Sequence, residues 1–192
     1  MTIDQTLFNT INGLTGRYVW LDATAQLFLN DYFVPTLMAI ILLALWFEGD
    51  DQIAQAVNQQ AVWVATLSTI LANIIVKLVN LLYFRPRPFA DQTVNLLFYR
   101  PTDSSLPSNA AAIGFAIAAG VWLHNRAWGW VLLIIALLFG LSRIIGGVHY
   151  PLDVLVGAGL GCFSAWLVRR QRWLLDPWIK FTVTLAHKLS LS

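Results

Sequence analysis

Charged residues are scarce in this chain of 192 residues. Asp, Glu, Lys and Arg make up 11% of it, whereas a soluble globular domain carries about 25%. The formal net charge of +2 is too small to indicate a nucleic-acid partner. The single cysteine, Cys162, excludes an intramolecular disulfide and a metal site built from cysteines. Residues 1–30 lack a basic start followed by an apolar segment and a small-residue cleavage site, so we expect no removable signal peptide.

Hydrophobic residues make up 58% of the chain, which indicates an integral membrane protein. Because about 20 apolar residues cross a bilayer, we predict five spans. They cover approximately 32–47, 61–82, 108–124, 128–147 and 152–168. Two segments before the first span, 3–13 and 20–29, and a third after the last, 173–190, are predicted to be amphipathic. We expect them to lie in the membrane interface, or the second of them to lengthen the first span. The expected fold is all-α, a single domain over residues 1–192, built as a bundle of about five or six transmembrane helices.

The predicted spans place loop 83–107 and turn 147–151 on one membrane face. The opposite face carries many basic residues and tryptophans, among them Arg126, Arg169, Arg170, Arg172, Trp122, Trp128 and Trp166. By the positive-inside rule, that opposite face is cytoplasmic. The sequence therefore predicts a multi-pass protein of the cell inner (plasma) membrane, with loop 83–107 on the periplasmic or extracellular face.

The stretch SRIIGGVHYPLD holds the residues with the clearest chemistry. His149 and Asp153 are four apart, so on a helix they would share one face and could hydrogen-bond. A carboxylate on one imidazole nitrogen fixes the tautomer and leaves the other nitrogen free to attack. Arg143 offers a planar fork that binds two phosphate oxygens at once. Ser142 adds a hydroxyl donor, and Gly147 permits close approach of the backbone to a ligand.

This spacing (Ser-Arg, five residues, His, three residues, Asp) resembles the third signature of the type 2 phosphatidic acid phosphatase (PAP2) superfamily. Its members are membrane enzymes that remove phosphate from lipids through a phosphohistidine. The resemblance implies that His149 is the nucleophile, that Asp153 orients it and that Arg143 is catalytic. It also implies that no metal or cofactor is required, and that the partners are the lipid bilayer and a membrane lipid phosphate or diphosphate.

The segment KLVNLLYFRPRPF resembles the first signature of that superfamily, in which a lysine precedes an Arg-Pro pair by six residues. Arg87 aligns with the phosphate-binding arginine, and Arg85 is a candidate either for the site or for lipid headgroups. Asn80 stands where the family has the lysine. Lys77 lies one helical turn earlier and is predicted either to reach the site or to extend to the headgroups.

The segment LPSNAA resembles the second signature, Pro-Ser-Gly-His or a close variant. Pro107 and Ser108 match it, and Asn109 takes the variable place as a candidate substrate-binding residue. Ala110 stands where the family has its general-acid histidine. We expect Ser108 to cap the following helix, whose first amides can also bind an oxyanion.

The short layout, the PRPF segment without its lysine and the HYPxD segment resemble bacterial undecaprenyl-diphosphate phosphatases of the bacitracin-resistance type. This resemblance implies hydrolysis of a polyprenyl (undecaprenyl) diphosphate to the monophosphate, for recycling of the cell-wall lipid carrier. A diphosphate also suits Ala110, because its leaving group is already a stable anion and needs a general acid less than an alkoxide does.

Two alternatives stand beside this function. One is a phosphatidic acid or phosphatidylglycerophosphate phosphatase of the same fold. The other is a lipid-phosphate binding protein that has lost turnover through Ala110. Ala110 is accordingly a native residue in a diphosphatase, an engineered substitution that traps a complex, or the mark of a binding protein. The retained His149–Asp153 pair favours an enzyme, since a pure binder does not need it.

Overall fold

The computed structural model describes residues 2–171 and, beyond them, residues 173 and 177. Residues 2–171 form eight helices and no strand, which confirms the all-α class. The helices are α1 (Ile3–Asn12), α2 (Val19–Leu29), α3 (Phe33–Phe47), α4 (Gln52–Leu82), α5 (Pro88–Asp91), α6 (Asn109–Trp122), α7 (Arg126–Ile145) and α8 (Pro151–Arg170). Helices lie at all five predicted spans and at the first two amphipathic segments. The predicted segment 173–190 lies almost entirely outside the described residues.

Not all of the helices at the five predicted spans are long enough to cross a membrane. Three helices, α4, α7 and α8, are long and apolar enough to cross a membrane alone. Helices α2 and α3 meet the same criterion together, although a bend of 62° separates them. Helix α6 has 14 residues, fewer than the roughly 20 that a bilayer requires. The described part of the chain thus has three or four candidate spans, with α6 as a shorter apolar helix among them.

Helix α6 lies at the centre and packs against α4, α7 and α8. Its sequence, NAAAIGFAIAAGVW, is rich in small residues, which allow backbones to approach closely in a membrane bundle. A Cβ added to Gly120 would lie 2.6 Å from Cα of Ala65 on α4, and one added to Gly161 would lie 2.5 Å from the carbonyl oxygen of Ala112. Small residues at these contacts therefore allow α4 and α8 to pack closely against α6.

The helix ends separate into two sets. At the end away from loop 83–107, the Asn58 side chain donates to the carbonyl of Glu48 (2.9 Å) and accepts from Asn125 (3.0 Å), so the α3–α4 and α6–α7 turns meet. Asp51 caps α4 by accepting from the amide of Ala54 (2.7 Å). Nowhere in the described chain do three His, Cys, Asp or Glu side chains gather as a metal site would require.

At the other end of the bundle, loop 83–107 leads into α6, and the starts of α6 and α8 are in contact. The Ser105 amide donates to the carbonyl of Arg85 (2.9 Å), and the Ser108 amide donates to the carbonyl of Asp153 (3.0 Å). Ser108 caps α6, since its hydroxyl accepts from the Ala111 amide (3.5 Å). The positive ends of two helices therefore meet beside the loop that holds the arginines.

Candidate active site

His149 lies in the turn between α7 and α8, and its two ring nitrogens have different partners. Nδ1 is 2.8 Å from the carbonyl oxygen of Ser105, which can only accept a hydrogen bond. Nε2 is 3.3 Å from Nη1 of Arg87, which can only donate one. Both partners select the tautomer with a proton on Nδ1 and a lone pair on Nε2. The nitrogen that faces the pocket arginine is therefore the nucleophilic one.

Asp153 is fully buried beside this turn and accepts hydrogen bonds from three donors. Its Oδ2 accepts from the Ser105 hydroxyl and from the Tyr150 amide (2.8 Å), and its Oδ1 accepts from Arg85. The closest approach of Oδ2 to Nδ1 of His149 is 3.8 Å, too long for a hydrogen bond. The direct bond expected from helical spacing is absent because α8 begins at Pro151, so His149 precedes the helix. Ser105 bridges the two side chains instead.

The surroundings of His149 favour its neutral form. Burial lowers the pKa of His149, and the positive charges of Arg87 and Arg143 lower this pKa further, while Asp153 opposes them. A neutral imidazole keeps the Nε2 lone pair that a nucleophile needs. The site therefore holds His149 ready to react near neutral pH.

His149 lines a pocket of about 320 Å³. Its polar lining combines cationic, anionic and neutral groups: Arg87, Arg143, His149, Asp31, Asp103, Tyr99, Ser104 and Asn109. Ala110 also lines it, beside Asn109 in the first turn of α6. A helix start with its free amides is an anion site, so this wall suits a phosphate group.

Each of the two pocket arginines is paired with one carboxylate. Arg87 donates to the carbonyl of Val148 (3.0 Å) and pairs with the Asp103 carboxylate (2.8 Å). Arg143 pairs with Asp31 (3.1 Å) and lies over the Phe139 ring at 4.8 Å. Nε of Arg143 is buried and has no hydrogen-bond partner. An unpaired buried donor of this kind is costly unless a ligand accepts from it.

The carboxylates that pair with these arginines are partly exposed. The Asp103 side chain is 62% exposed and the Asp31 side chain 40%, whereas Arg87 and Arg143 are 7% and 6% exposed. An ion pair with one solvated partner is weak. A phosphate group, with its greater charge, can replace either carboxylate on the guanidinium.

The other predicted site residues lie outside the pocket lining, and their predicted roles stay predictions. Arg85 lies behind His149, between Asp153 and Asp4 (2.6 Å to Asp4). Ser142 is buried within α7, where its hydroxyl donates to the Phe139 carbonyl (2.8 Å). The cap residue Ser108 is also buried. The remaining two are Lys77, which is exposed on α4, and Gly147, at φ +80° against Asn95.

Sequence reasoning missed four residues of this region: Ser105, Asp103, Asp31 and Asp4. The two loop residues, Ser105 and Asp103, belong to loop 83–107, the longest connection between predicted spans. Long loops of this kind are often functional, so their position was a signal. Asp31 reaches Arg143 because the backbone bends between α2 and α3, where Asn30 accepts from the amides of Tyr32 and Phe33. The local sequence around Asp31 gives no sign of its contact with Arg143, which lies 112 residues further along the chain.

The family was settled by comparison with known proteins. The family model described as the PAP2 superfamily matches residues 61–176. This chain belongs to the PAP2 superfamily. The predicted resemblance and the predicted enzyme class, a lipid phosphatase, are thereby confirmed.

Two curated relatives and one solved structure extend the match over most of the chain. Undecaprenyl-diphosphatase BcrC of Bacillus subtilis is 35% identical over 183 residues, covering 95% of this chain and 91% of the relative. The bacitracin transport permease protein BcrC of Bacillus licheniformis is 35% identical over 162 residues, covering 84% and 76%. The crystal structure of Aquifex aeolicus LpxE superposes with a TM-score of 0.71 at 29% identity, covering 88% of this chain and 96% of that one.

Proposed function

We propose that this membrane phosphatase hydrolyses a polyprenyl diphosphate, with undecaprenyl diphosphate as the substrate, to the monophosphate. The Bacillus subtilis relative named for that activity supports the substrate, because it aligns over nearly the whole chain. The function would recycle the lipid carrier of cell-wall synthesis. The basic residues at the opposite end of the bundle favour a site on the periplasmic or extracellular face of the plasma membrane.

One observation carries the proposal: His149, with its lone pair on Nε2, lines the pocket together with Arg87, whose Nη1 is 3.3 Å from that nitrogen. A phosphate held by that arginine would lie beside the nitrogen that attacks it. A site for simple headgroup binding needs the arginines, but it does not need a buried histidine with a defined tautomer. Proximity and orientation of this kind account for a large share of enzymatic rate enhancement.

The reaction follows from the positions of the charges. Nε2 attacks the terminal phosphorus, and the bond to the bridging oxygen breaks so that the lipid monophosphate leaves with the electron pair. Arg87, Arg143 and the first amides of α6 hold the phosphoryl oxygens, where electrostatic stabilisation does most of the catalytic work. The Ser105 carbonyl accepts from Nδ1–H as the ring becomes positive. A water molecule then cleaves the phosphorus–nitrogen bond and releases phosphate.

Ala110 limits which leaving group can depart. A general acid contributes about 10²–10⁴-fold where the leaving group needs a proton. An alkoxide from phosphatidic acid needs it, whereas a lipid monophosphate from a diphosphate is stable as an anion. Ala110 lines the pocket, so the missing histidine would have been at the site. We therefore expect a preference for diphosphates.

The decisive experiment is phosphate release by the purified protein in detergent, with polyprenyl diphosphate and phosphatidic acid compared. We expect release from the diphosphate and a loss of roughly 10⁴-fold or more in His149→Ala. Ala110→His should raise release from phosphatidic acid by about 10²-fold or more. His124→Ala serves as the matched histidine control, since His124 follows the C-terminal end of α6, whereas the pocket lies at the start of that helix.

The same experiment tests the second candidate, a lipid-phosphate binding protein, which Ala110 favours. Diphosphate binding without release, with release appearing only in Ala110→His, would replace the proposed hydrolase with that candidate. Equal release from both lipids in the parent chain would refute the preference for diphosphates and favour the monoester phosphatases.

A further inference from the structure

One face of α1 contacts the turn that carries His149. This α1 contact face consists of Asp4, Phe8 and Asn12, which are spaced four apart and so project from the same side of the helix. Phe8 and Asn12 are buried, at 1% and 4% exposure, and the Asp4 side chain is 15% exposed. None of the three lines the substrate pocket.

Asp4 joins two parts of the site with its two carboxylate oxygens. Oδ2 pairs with Arg85 (2.6 Å), and Oδ1 accepts from the amide of Leu152 (2.9 Å) in the first turn of α8. A carboxylate at a helix start is electrostatically favourable. Arg85 in turn pairs with Asp153 and lies over the Tyr150 ring at 4.5 Å. One side chain of α1 thus sets both the start of α8 and the arginine behind Asp153.

Phe8 and Asn12 hold the rest of the turn. The Phe8 ring meets the Tyr150 ring edge to face, with centroids 5.3 Å apart. The Asn12 side chain donates to the carbonyls of Ile145 and Asn95, both at 2.8 Å. The α1 contact face therefore fixes the last residue of α7 and the first residues of α8, on either side of His149.

We propose that α1 is a positioning element for His149, and that Asp4 is a positioning residue acting through Arg85 and Asp153. The connection runs from Asp4 to Arg85, to Asp153, to Ser105 and to Nδ1 of His149. This inference rests on the proposed phosphatase function and adds residues that no signature of the family resemblance contains. Because Asp4 acts from behind the ring, its loss lowers the rate of attack more than it weakens substrate binding.

The test is Asp4→Asn in the full chain, with kcat and KM measured on polyprenyl diphosphate in detergent. Asparagine keeps an acceptor for the Leu152 amide but loses the charge that holds Arg85. We expect kcat to fall about 10-fold or more, since small misplacements of a reacting group are costly, and KM to change by less than about 2-fold. Asp4→Glu should recover most of kcat.

Asp22→Asn is the matched control. Asp22 also lies in the first turn of a helix, and both of its carboxylate oxygens accept from a backbone amide, that of Gly16 (3.2 and 3.0 Å), which is not part of the His149 network. Its kcat should stay at the parent value. Phe8→Leu is a second variant of the α1 contact face, which removes the ring contact with Tyr150 and should also lower kcat at constant KM.

A second readout, hydrogen exchange of residues 145–152, does not depend on activity. Asp4→Asn should speed exchange at the Leu152 amide, because an uncharged amide oxygen is a weaker acceptor than a carboxylate oxygen, whereas Asp22→Asn should not. Unchanged exchange together with unchanged kcat would overturn the positioning role, and so would a rise in KM alone. Faster exchange in Asp4→Asn, together with no phosphate release by the parent chain, would instead refute the proposed function and leave the structural link between α1 and the turn in place.

Discussion

The two sides of the His149 ring differ in how fully their charged groups are paired. Behind the ring, Asp153 is 0% exposed and accepts from three donors. In front of it, Nε of Arg143 has no partner, and Arg87 and Arg143 are paired with carboxylates that are 62% and 40% exposed. The back is thus fixed before substrate arrives, and the front has partners that can be exchanged. Such a division suits a site that must orient a nucleophile and still admit a charged ligand.

The largest effect in this comparison is expected from Asp153→Asn, which disrupts the paired charges behind the His149 ring. The substitution keeps the size of the side chain but removes the charge that pairs with Arg85 and lies 3.8 Å from Nδ1. We expect kcat to fall roughly 10³-fold or more, while KM changes little. The carboxylate that orients the general-base histidine of a serine-protease triad is worth about 10⁴-fold in kcat, and Asp153 acts on His149 less directly, through Ser105.

Asp51→Asn is the control for this acid-to-amide change. Asp51 caps α4 at the far end of the bundle, and asparagine caps a helix about equally well. A large rise in KM for Asp153→Asn, with kcat intact, would mean that the back of the ring serves substrate binding instead.

Arg143→Lys, which changes the pocket side of the His149 ring, should have the next largest effect. Lysine keeps the charge but loses the planar fork and its stacking on Phe139 and Phe98. We expect kcat/KM to fall about 10²-fold. Arg126→Lys, at the other end of the same helix, should leave kcat/KM at the parent value. Equal losses in both variants would point to general destabilisation of α7.

The pH dependence of kcat/KM tests the environment of the His149 ring. Burial and the charges of Arg87 and Arg143 lower the pKa of His149 below the usual value of 6.5. Protonation removes the Nε2 lone pair, so activity is present above this pKa and is lost as the pH falls through it. The acid limb of kcat/KM should therefore lie below pH 6.5. An acid limb above that value would contradict the buried, cation-flanked environment.

The smallest effect is expected from Asp31→Asn, which weakens the exchangeable pairing in front. Substrate phosphate no longer competes with a carboxylate for Arg143, so KM should fall by about 2- to 5-fold, as expected for a partly solvated ion pair. Asp22→Asn again serves as the control. A higher KM would show that Asp31 holds Arg143 in place for the substrate, and the front would then resemble the back.

Much of the fold could be predicted from the sequence, because long apolar runs in membrane proteins identify helices directly. The five runs all contain helices, yet α6 is only 14 residues long. Hydropathy cannot show this shortening, since it comes from the N-cap at Ser108 and the turn at residues 123–125. The sequence contains the small residues of α6, but it does not show which helices pack against them.

The front of the site was easier to predict than the back. Arg87, Arg143, Asn109 and Ala110 were named from signatures, and all four line one pocket with His149. The acceptor for Nδ1 is a backbone carbonyl, that of Ser105. Because every residue has a backbone carbonyl, the sequence does not indicate which one accepts this bond. Asp4 and Asp153 are joined through Arg85 across 149 residues, and only the folded packing of α1 brings them together.

The central claim is that Nε2 of His149 becomes phosphorylated. The most direct measurement is a rapid-quench single turnover with polyprenyl diphosphate radiolabelled in its terminal phosphate, followed by analysis of the labelled protein. The account predicts a transient phosphoenzyme that is acid-labile and alkali-stable, as a phosphoramidate is, and that is absent in His149→Ala. Release of labelled phosphate at the full rate with no phosphoenzyme at any time point, or label retained in His149→Ala, would contradict it.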